Sequence, residues 1–390
     1  MVMAMAGCGN TDNGSAATGT NAATESAAAS DSAASGSVFK IGGIGPTTGG
    51  AAVYGLAVQH GAEIAVEEIN AAGGINGYQV EFKFQDDEAD AEKSVNAYNA
   101  LKDWGAQIID GSTTSGACIA VTDKTKEDNM FQITPSGSAV ECVQYDNNFR
   151  VCFSDPNQGL ASAQYIGENG LAEKIAVIYD SSDVYSSGIY EKFAKEAENQ
   201  PFEVVAAEAF TADNKTDFSV QLQKAKDAGA DMVFLPIYYQ ESALILTQAA
   251  AMGYAPKWFS CDGMDGILGG VDNFDVSLTE GVMLLTPFAA DATDDLTQSF
   301  VTKYKEKYGD TPNQFAADSY DAIYVIKAAI EKSGVTPDMS VSDICDGMKA
   351  AMTEITVDGL TGNGMTWTAD GEANKAPKAV VIENGAYKAM

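Results

Sequence analysis

The sequence predicts an α/β protein built as two doubly wound lobes with central, mainly parallel sheets, and three observations carry that prediction. From Val38 to the C-terminus, short runs rich in β-branched and aromatic residues alternate with amphipathic runs, the pattern of β-α-β units. The runs fall into two sets, roughly five strands up to Phe153 and a second set that starts at Lys174. Loops rich in Ser, Thr, Gly, Tyr and Asp sit just after the strands, at the carboxyl ends where open α/β sheets bind ligands.

In chain order the strand candidates are VFKIGGI, VEFKF, QIID, MFQIT, FRVCF, KIAVIY, FEVVAAEAF, DMVFLPI, KWFS, GVMLLTP and KAVVIE. Between them lie helix candidates such as VYGLAVQHGAEIAVEEINAAGG, in which Leu56, Ala57, Ile64, Ala65 and Ile69 recur on one face and glycines close the segment. Ahead of Val38 the reading is different. Residues 1–8 look like the end of a truncated lipoprotein signal, with Met5-Ala6-Gly7-Cys8 resembling a lipobox and Cys8 as the acylated residue. Residues 9–37 collapse to Ala, Ser, Thr, Gly and Asn, too poor in large apolar side chains to offset ordering, and are expected to form a disordered tether. No later run approaches ~18 consecutive apolar residues, so the membrane is expected to be met only through a lipid anchor.

Composition narrows the function. The 390 residues carry 55 acidic and 23 basic side chains, a formal charge of −32, which makes nucleic acid and anionic membrane surfaces poor partners. The single histidine, His60, lies in a helix-like run, so a histidine-based triad or zinc site has almost nothing to be built from. The single arginine, Arg150, rules out a cluster of guanidinium forks around an anion, which must instead meet lysine, hydroxyls or backbone N–H groups. The first glycine loop, GIGPTTG, lacks the full dinucleotide pattern, no G-K-[ST] follows a glycine loop, and no G-x-S-x-G occurs. An enzyme is therefore not expected, nor is a cofactor or a metal, since no C-x-x-C is present either. Cys142 and Cys152 bracket a stretch short enough for a disulfide loop outside the cell, the alternative being buried free thiols.

A binding site fits the loops better. Asp110 to Ala117 read DGSTTSGA between a strand and a helix, so Thr113, Thr114 and Ser115 offer hydroxyls and free backbone N–H groups at the positive end of a helix, a place for a carboxylate. The alternative is that these hydroxyls merely cap the helix. The next loop, TPSGSA, repeats the chemistry with Ser136 and Ser138. Asp262 in SCDGMDG would be a costly buried carboxylate unless a cation meets it, and a ligand ammonium suffices. Tyr54, Tyr185 and Tyr238 follow strands in the same set of loops and can wall a pocket, although each taken singly fits a core or rim position equally well.

Across IGGIGPTTGGAAVYGLAVQHGAEIAVEEINAAGGINGYQVEF, QDDEADAEKSVNAYNAL, IIDGSTTSGA, ITPSGSA, YDSSDVYSSG, TDFSVQLQKAKDAGADMVFLPIY and FAADSYDAIYVIKAAIE, the chain resembles a known family. It is similar to the extracellular solute-binding proteins of branched-chain amino acid ABC transporters, the leucine/isoleucine/valine-binding group of the type I periplasmic-binding fold. The resemblance implies that Ser115 and the Thr113–Ser115 backbone receive a ligand α-carboxylate. It implies that the Ser136 carbonyl, the Ser138 hydroxyl and Asp262 take the α-ammonium, and that Tyr54, Tyr185 and Tyr238 line the side-chain pocket. It further implies a hinge of three crossovers, with residues 38–156 plus 287–363 in one lobe and 157–286 plus 364–390 in the other. The implied function is capture of an amino acid, branched-chain by first preference, for a membrane permease and its ATPase by a monomer at the outer face of the membrane or in the periplasm. The alternatives are another amino acid, an amide, urea or a small aromatic acid, or a ligand sensor for a membrane receptor.

Overall fold

Strand β1 (Phe39–Gly45) is buried along nearly its whole length, as its apolar-and-glycine sequence requires of a strand with helices on both faces. The structure is a computed structural model that describes residues 36–390, so Cys8 and the tether up to Ser35 lie outside the described residues. After β1 the chain forms α1 (Ala52–Ala71), β2 (Val80–Asp86), α2 (Ala91–Trp104), β3 (Ile108–Asp110), α3 (Ser115–Asp128), β4 (Phe131–Thr134) and β5 (Asn148–Arg150). These five strands make one sheet, in the order β2-β1-β3-β4-β5, with every pair parallel.

The chain then crosses to a second sheet. It runs through α4 (Asp155–Glu168), β6 (Lys174–Asp180), α5 (Val184–Ala197), β7 (Glu203–Phe210), α6 (Ser219–Asp227), β8 (Met232–Leu235), α7 (Tyr239–Ala251), β9 (Lys257–Ser260) and β10 (Met283–Thr286). It returns to the first lobe as α8 (Asp295–Tyr308), α9 (Gln314–Ser333) and α10 (Val341–Met352), and crosses a last time into β11 (Lys378–Glu383) and β12 (Ala386–Ala389). The second sheet has the order β12-β11-β10-β9-β8-β6-β7 and is parallel except at the β10-β11-β12 edge. Both sheets therefore direct the carboxyl ends of their parallel strands into loops, and the site described below is made of loops from both. Among the described residues no helix is long and apolar enough to cross a membrane.

Every expected strand stretch contributes a strand, but FRVCF yields only the short β5. Strand β12 lies outside the expected set, and its signal was present: Asn384 and Gly385, with φ of 53° and 71°, form the tight turn that Asn-Gly favours between antiparallel strands. The last crossing also differs from the 363/364 boundary. Residues 364–375 stay with the first lobe, where Trp367 Nε1 donates to Arg150 O at 2.8 Å, Arg150 N donates to Gly371 O at 3.0 Å, and Lys375 Nζ pairs with Asp318 at 2.8 Å. The return lies between Lys375 and Lys378. Of the two readings for Cys142 and Cys152, a bridge or buried free thiols, the structure has the second: all five cysteines among the described residues are free and buried. Cys142 sits in a short 3-10 turn and directs its thiol toward Ser115 O at 3.7 Å and toward Cys118, whereas Cys152 lies past β5 beside Arg150.

One close approach fixes the first lobe. Helix α9 lies so near α1 that a Cβ at Gly61 would sit 2.0 Å from Ala316 O, a backbone atom that cannot rotate away. Gly61→Ala is expected to lower stability by about 1–3 kcal/mol, despite the better helix propensity of alanine. Urea unfolding at matched protein concentration checks this, and an unchanged or higher midpoint contradicts it.

Candidate functional site

Helix α3 starts without the cap that its sequence offers. The N-termini of α2, α5, α8, α9 and α10 are each closed by an Asp, Asn or Ser side chain, namely Asp90, Asp183, Asp294, Asn313 and Ser340. At α3 the N-cap is Thr114, yet its hydroxyl is buried with no partner and makes no capping bond. Among the described residues nothing accepts from the N–H groups of Ser115 or Gly116. The capping alternative for this loop therefore fails, and the buried Ser115 N–H is left without a protein acceptor at the helix N-terminus, while Gly116 is exposed at the outer cleft.

The loop after β4 is locked onto α3. Ser115 Oγ accepts from the N–H groups of Ser138 and Ala139, both at 3.1 Å, and Ser136 Oγ donates to Thr113 O at 2.6 Å. Arg150 holds the same loop from behind. Its buried guanidinium donates to Ser138 O at 2.5 Å and Ala139 O at 2.8 Å, with longer contacts to the carbonyls of Gly137 and Val140. The only arginine is thus committed to backbone carbonyls and is not free to grip an anion.

Across the interface the second lobe presents acid and aromatic groups. Asp262 follows β9 and is 3 % exposed; Tyr185 donates to its Oδ1 at 2.6 Å and Gln158 accepts from its N–H at 3.3 Å. Burial pushes its carboxyl up to about 6, against the pull of Tyr185, Gln158 and the Gly263 N–H. Tyr54 reaches over from α1, donating to Gly263 O and accepting from Tyr239 N at 3.3 Å, and meets Tyr238 edge-on with ring centroids 5.4 Å apart. Tyr185 stacks on Tyr238 at 5.1 Å. These side chains and loops line a narrow cavity between the lobes whose volume, about 10 Å³, is room for about one water.

The cavity brings together Tyr54, Thr113, Thr114, Ser115, Ser136, Tyr185, Tyr238 and Asp262. Ser138 stands just behind the lining, its Oγ buried without a hydrogen bond. Two lining residues and one buried acid outside the lining escaped the sequence reading. Phe315, the second residue of α9, forms a wall and packs on Tyr54 at 4.3 Å, and Gly263 exposes backbone to the cavity. Asp155, the first residue of α4, is 1 % exposed with neither carboxylate oxygen bonded, but it lies outside the cavity lining, its side chain against Gly188 of α5. Burial raises its pKa well above the ordinary carboxylate range, and the charge of Asp262 adds to that; Ser138 and Arg150 oppose it. Its sequence signal was slight, a Ser-Asp-Pro helix start in FSDPNQG.

A profile of the periplasmic binding protein family matches residues 38–386. The chain belongs to that family. Its members bind solutes and are not enzymes. Among its relatives is the leucine-, isoleucine-, valine-, threonine- and alanine-binding protein of Pseudomonas aeruginosa, 31 % identical over 302 residues, which cover 76 % of this chain and 78 % of that one. Among solved structures, the branched-chain amino acid transporter substrate binding protein LivJ of Streptococcus pneumoniae, in complex with isoleucine, is similar with a TM-score of 0.81 and 28 % identity, covering 90 % of this chain and 98 % of that one. The leucine binding protein LivK of Thermotoga maritima is similar with a TM-score of 0.80 and 28 % identity over 90 % and 98 % of the two chains. In this binding protein, as the fold requires, the cavity lies between two parallel-sheet lobes.

The burial of Asp262 sets a pH dependence. Asp262 titrates near about 6 in the folded chain against an ordinary 3.8, so between those values the folded state holds more protons than the unfolded one. Ligand-free stability from this group therefore declines as pH rises from about 4 to 6, by an amount on the order of 3 kcal/mol. The wild-type unfolding midpoint should fall relative to that of Asp262→Asn across this window; a gap between the two that does not vary with pH contradicts the assignment.

Proposed function

We propose that this protein captures a zwitterionic amino acid, with a branched aliphatic side chain, in the interlobe cavity and delivers it to a membrane permease driven by a cytoplasmic ATPase. The observation that carries the reading is a pair of charges with nothing to meet them. On one side stands an uncapped helix N-terminus with the hydroxyls of Thr114 and Ser115; on the other stands Asp262, a buried carboxylate with no Lys or Arg side chain in the same lining. An α-carboxylate against the first and an α-ammonium against the second answer both deficits at once.

The roles follow from what each group has left to give. The Ser115 N–H and the Thr114 hydroxyl donate to the carboxylate. The Ser138 hydroxyl, the Ser136 carbonyl and the carboxylate of Asp262 accept from the ammonium. Tyr54, Tyr185, Tyr238 and Phe315 supply flat, largely apolar walls for the side chain. The outer cleft that adjoins Thr114 and Tyr238 carries Glu88, Asp180, Asp183 and Glu241 with a single lysine, Lys215, which disfavours a free anion such as a small aromatic acid. The names of the relatives support the branched-chain preference, and the chain is held at the outer face of the membrane by a lipid on Cys8.

Calorimetric titration of the whole chain, unfolded and refolded to strip co-purified solute, tests the capture. Leucine, isoleucine or valine should bind, while 4-methylpentanoate, which lacks the ammonium, should not. Asp262→Ala should weaken binding by roughly 2–5 kcal/mol, because an ammonium is left unpaired. Binding of benzoate or 4-methylpentanoate with no response to Asp262→Ala moves the protein to the small-acid alternative. For the anchor, Cys8→Ser should shift the expressed protein from the membrane fraction to the soluble one, and unchanged partitioning speaks against lipidation.

A further inference from the structure

The sequence SCDGMDG contains a second acid, Asp265, that solute contact leaves without a role. It follows the short turn of Asp262–Met264 in the second lobe and is 4 % exposed. Its Oδ2 accepts from the N–H of Gln314 at 2.9 Å, and Gln314 is the first residue of α9, which belongs to the first lobe. Helix α9 has its own cap, Asn313 Oδ1 accepting from Ala316 N at 3.3 Å, so Asp265 is an additional anion placed at the same N-terminus from the opposite lobe.

The surroundings of Asp265 tie it to the cavity. The residue after Gln314 is Phe315, a cavity wall stacked on Tyr54, and Tyr54 in turn donates to Gly263 O in the same turn as Asp265. The next residue, Gly266, has φ of +109° and lies where a Cβ would meet Val53 Cγ1 of α1 at 2.7 Å, so the turn sits directly on the first lobe. Behind it, the Gly266 N–H donates to Tyr387 Oη of β12 at 3.1 Å, which braces the turn against its own lobe. Tyr387 also lowers the Asp265 pKa against burial, so the acid is held from its own lobe as well as by α9.

We propose that Asp265 is a positioning residue for solute capture: the turn works as a clamp with two ends, Asp262 on the solute and Asp265 locking α9, so that release requires the Asp265–Gln314 bond to break. This rests on the interlobe cavity being the amino acid site. Opening the lobes would return the Asp265 carboxylate to water and free the α9 N-terminus, which links the lifetime of the closed form to this bond.

The test is the dissociation rate of leucine from the full chain by stopped-flow fluorescence. Asp265→Ala should release leucine about tenfold faster with the association rate within about threefold of wild type, and Asp265→Asn should fall between the two. Gln314→Pro removes the N–H that Asp265 accepts together with the buried Gln314 side chain, which Gln314→Ala removes alone, at the first helical position where proline is tolerated, after Asn313 whose backbone is already extended. It should reproduce the fast release, and the double variant should be no faster than the faster single one. The ligand-free unfolding midpoint should not drop in Asp265→Asn, since a buried charge has been removed. Release at the wild-type rate in both Asp265→Ala and Gln314→Pro, additive effects, or acceleration that tracks a lower midpoint overturns the latch. A wild-type chain that holds no amino acid sinks the solute reading, and this proposal with it; a wild-type chain that holds leucine while the variants keep its slow release sinks the latch alone.

Discussion

A carboxylate taken out of water without a cation is among the least comfortable groups in a protein, and this interface contains several. Asp262 lines the cleft and Asp155 is buried outside its lining, both raised by burial, with the charge of Asp262 raising Asp155 further. Such groups destabilise the closed, empty form unless protons or an incoming ammonium neutralise them. The opposite wall has the complementary deficit, a buried N–H donor at the start of α3 that no acceptor satisfies. In the function proposed above, a zwitterion gains from both walls only when they are brought together, which makes ligand affinity and lobe closure one equilibrium.

That arrangement depends on a loop that does not move on its own. Arg150 is wholly buried, and its guanidinium gathers the carbonyls of residues 137–140 from behind. With those carbonyls turned inward, the N–H groups of Ser138 and Ala139 point the other way and fix Ser115 Oγ. Glu372 approaches Arg150 Nε at 3.4 Å, so residues 364–375 help to hold the ligand loop although they are far from it in sequence. Replacing this arginine by lysine would keep the charge but not the planar fork that spans several carbonyls.

The parallel-sheet rule made much of the site legible: polar loops just after apolar strands point to one edge, and the hydroxyl-rich DGSTTSGA and TPSGSA loops meet there. What escaped had no local pattern. Asp155 is a single acid at a helix start, indistinguishable in sequence from an ordinary N-terminal Asp, and its isolation from partners exists only in three dimensions. Phe315 reaches the cavity because α9 crosses α1 closely at Gly61, a contact between segments separated by most of the chain. The 364–375 excursion and the free state of Cys142 and Cys152 were hidden for the same reason, since spacing along the chain does not say which way a thiol or a strand end faces. The β12 hairpin was different: Asn384-Gly385 was a local signal.

The triple crossing has a consequence for the order in which the molecule can be built. The face of α1 that α9 covers belongs to the first lobe, yet α9 begins only at Gln314, after every parallel strand of the second sheet has been made. A chain threaded outward from its N-terminus therefore delivers β1 to β5 with an apolar flank still open, and that flank stays open until the whole second lobe has passed. The second lobe in turn waits for β11 and β12 to complete its edge. Neither half can finish before the last residues arrive, so the assembly step is a late, all-at-once event, and escorts that shield the early segments would matter most during export.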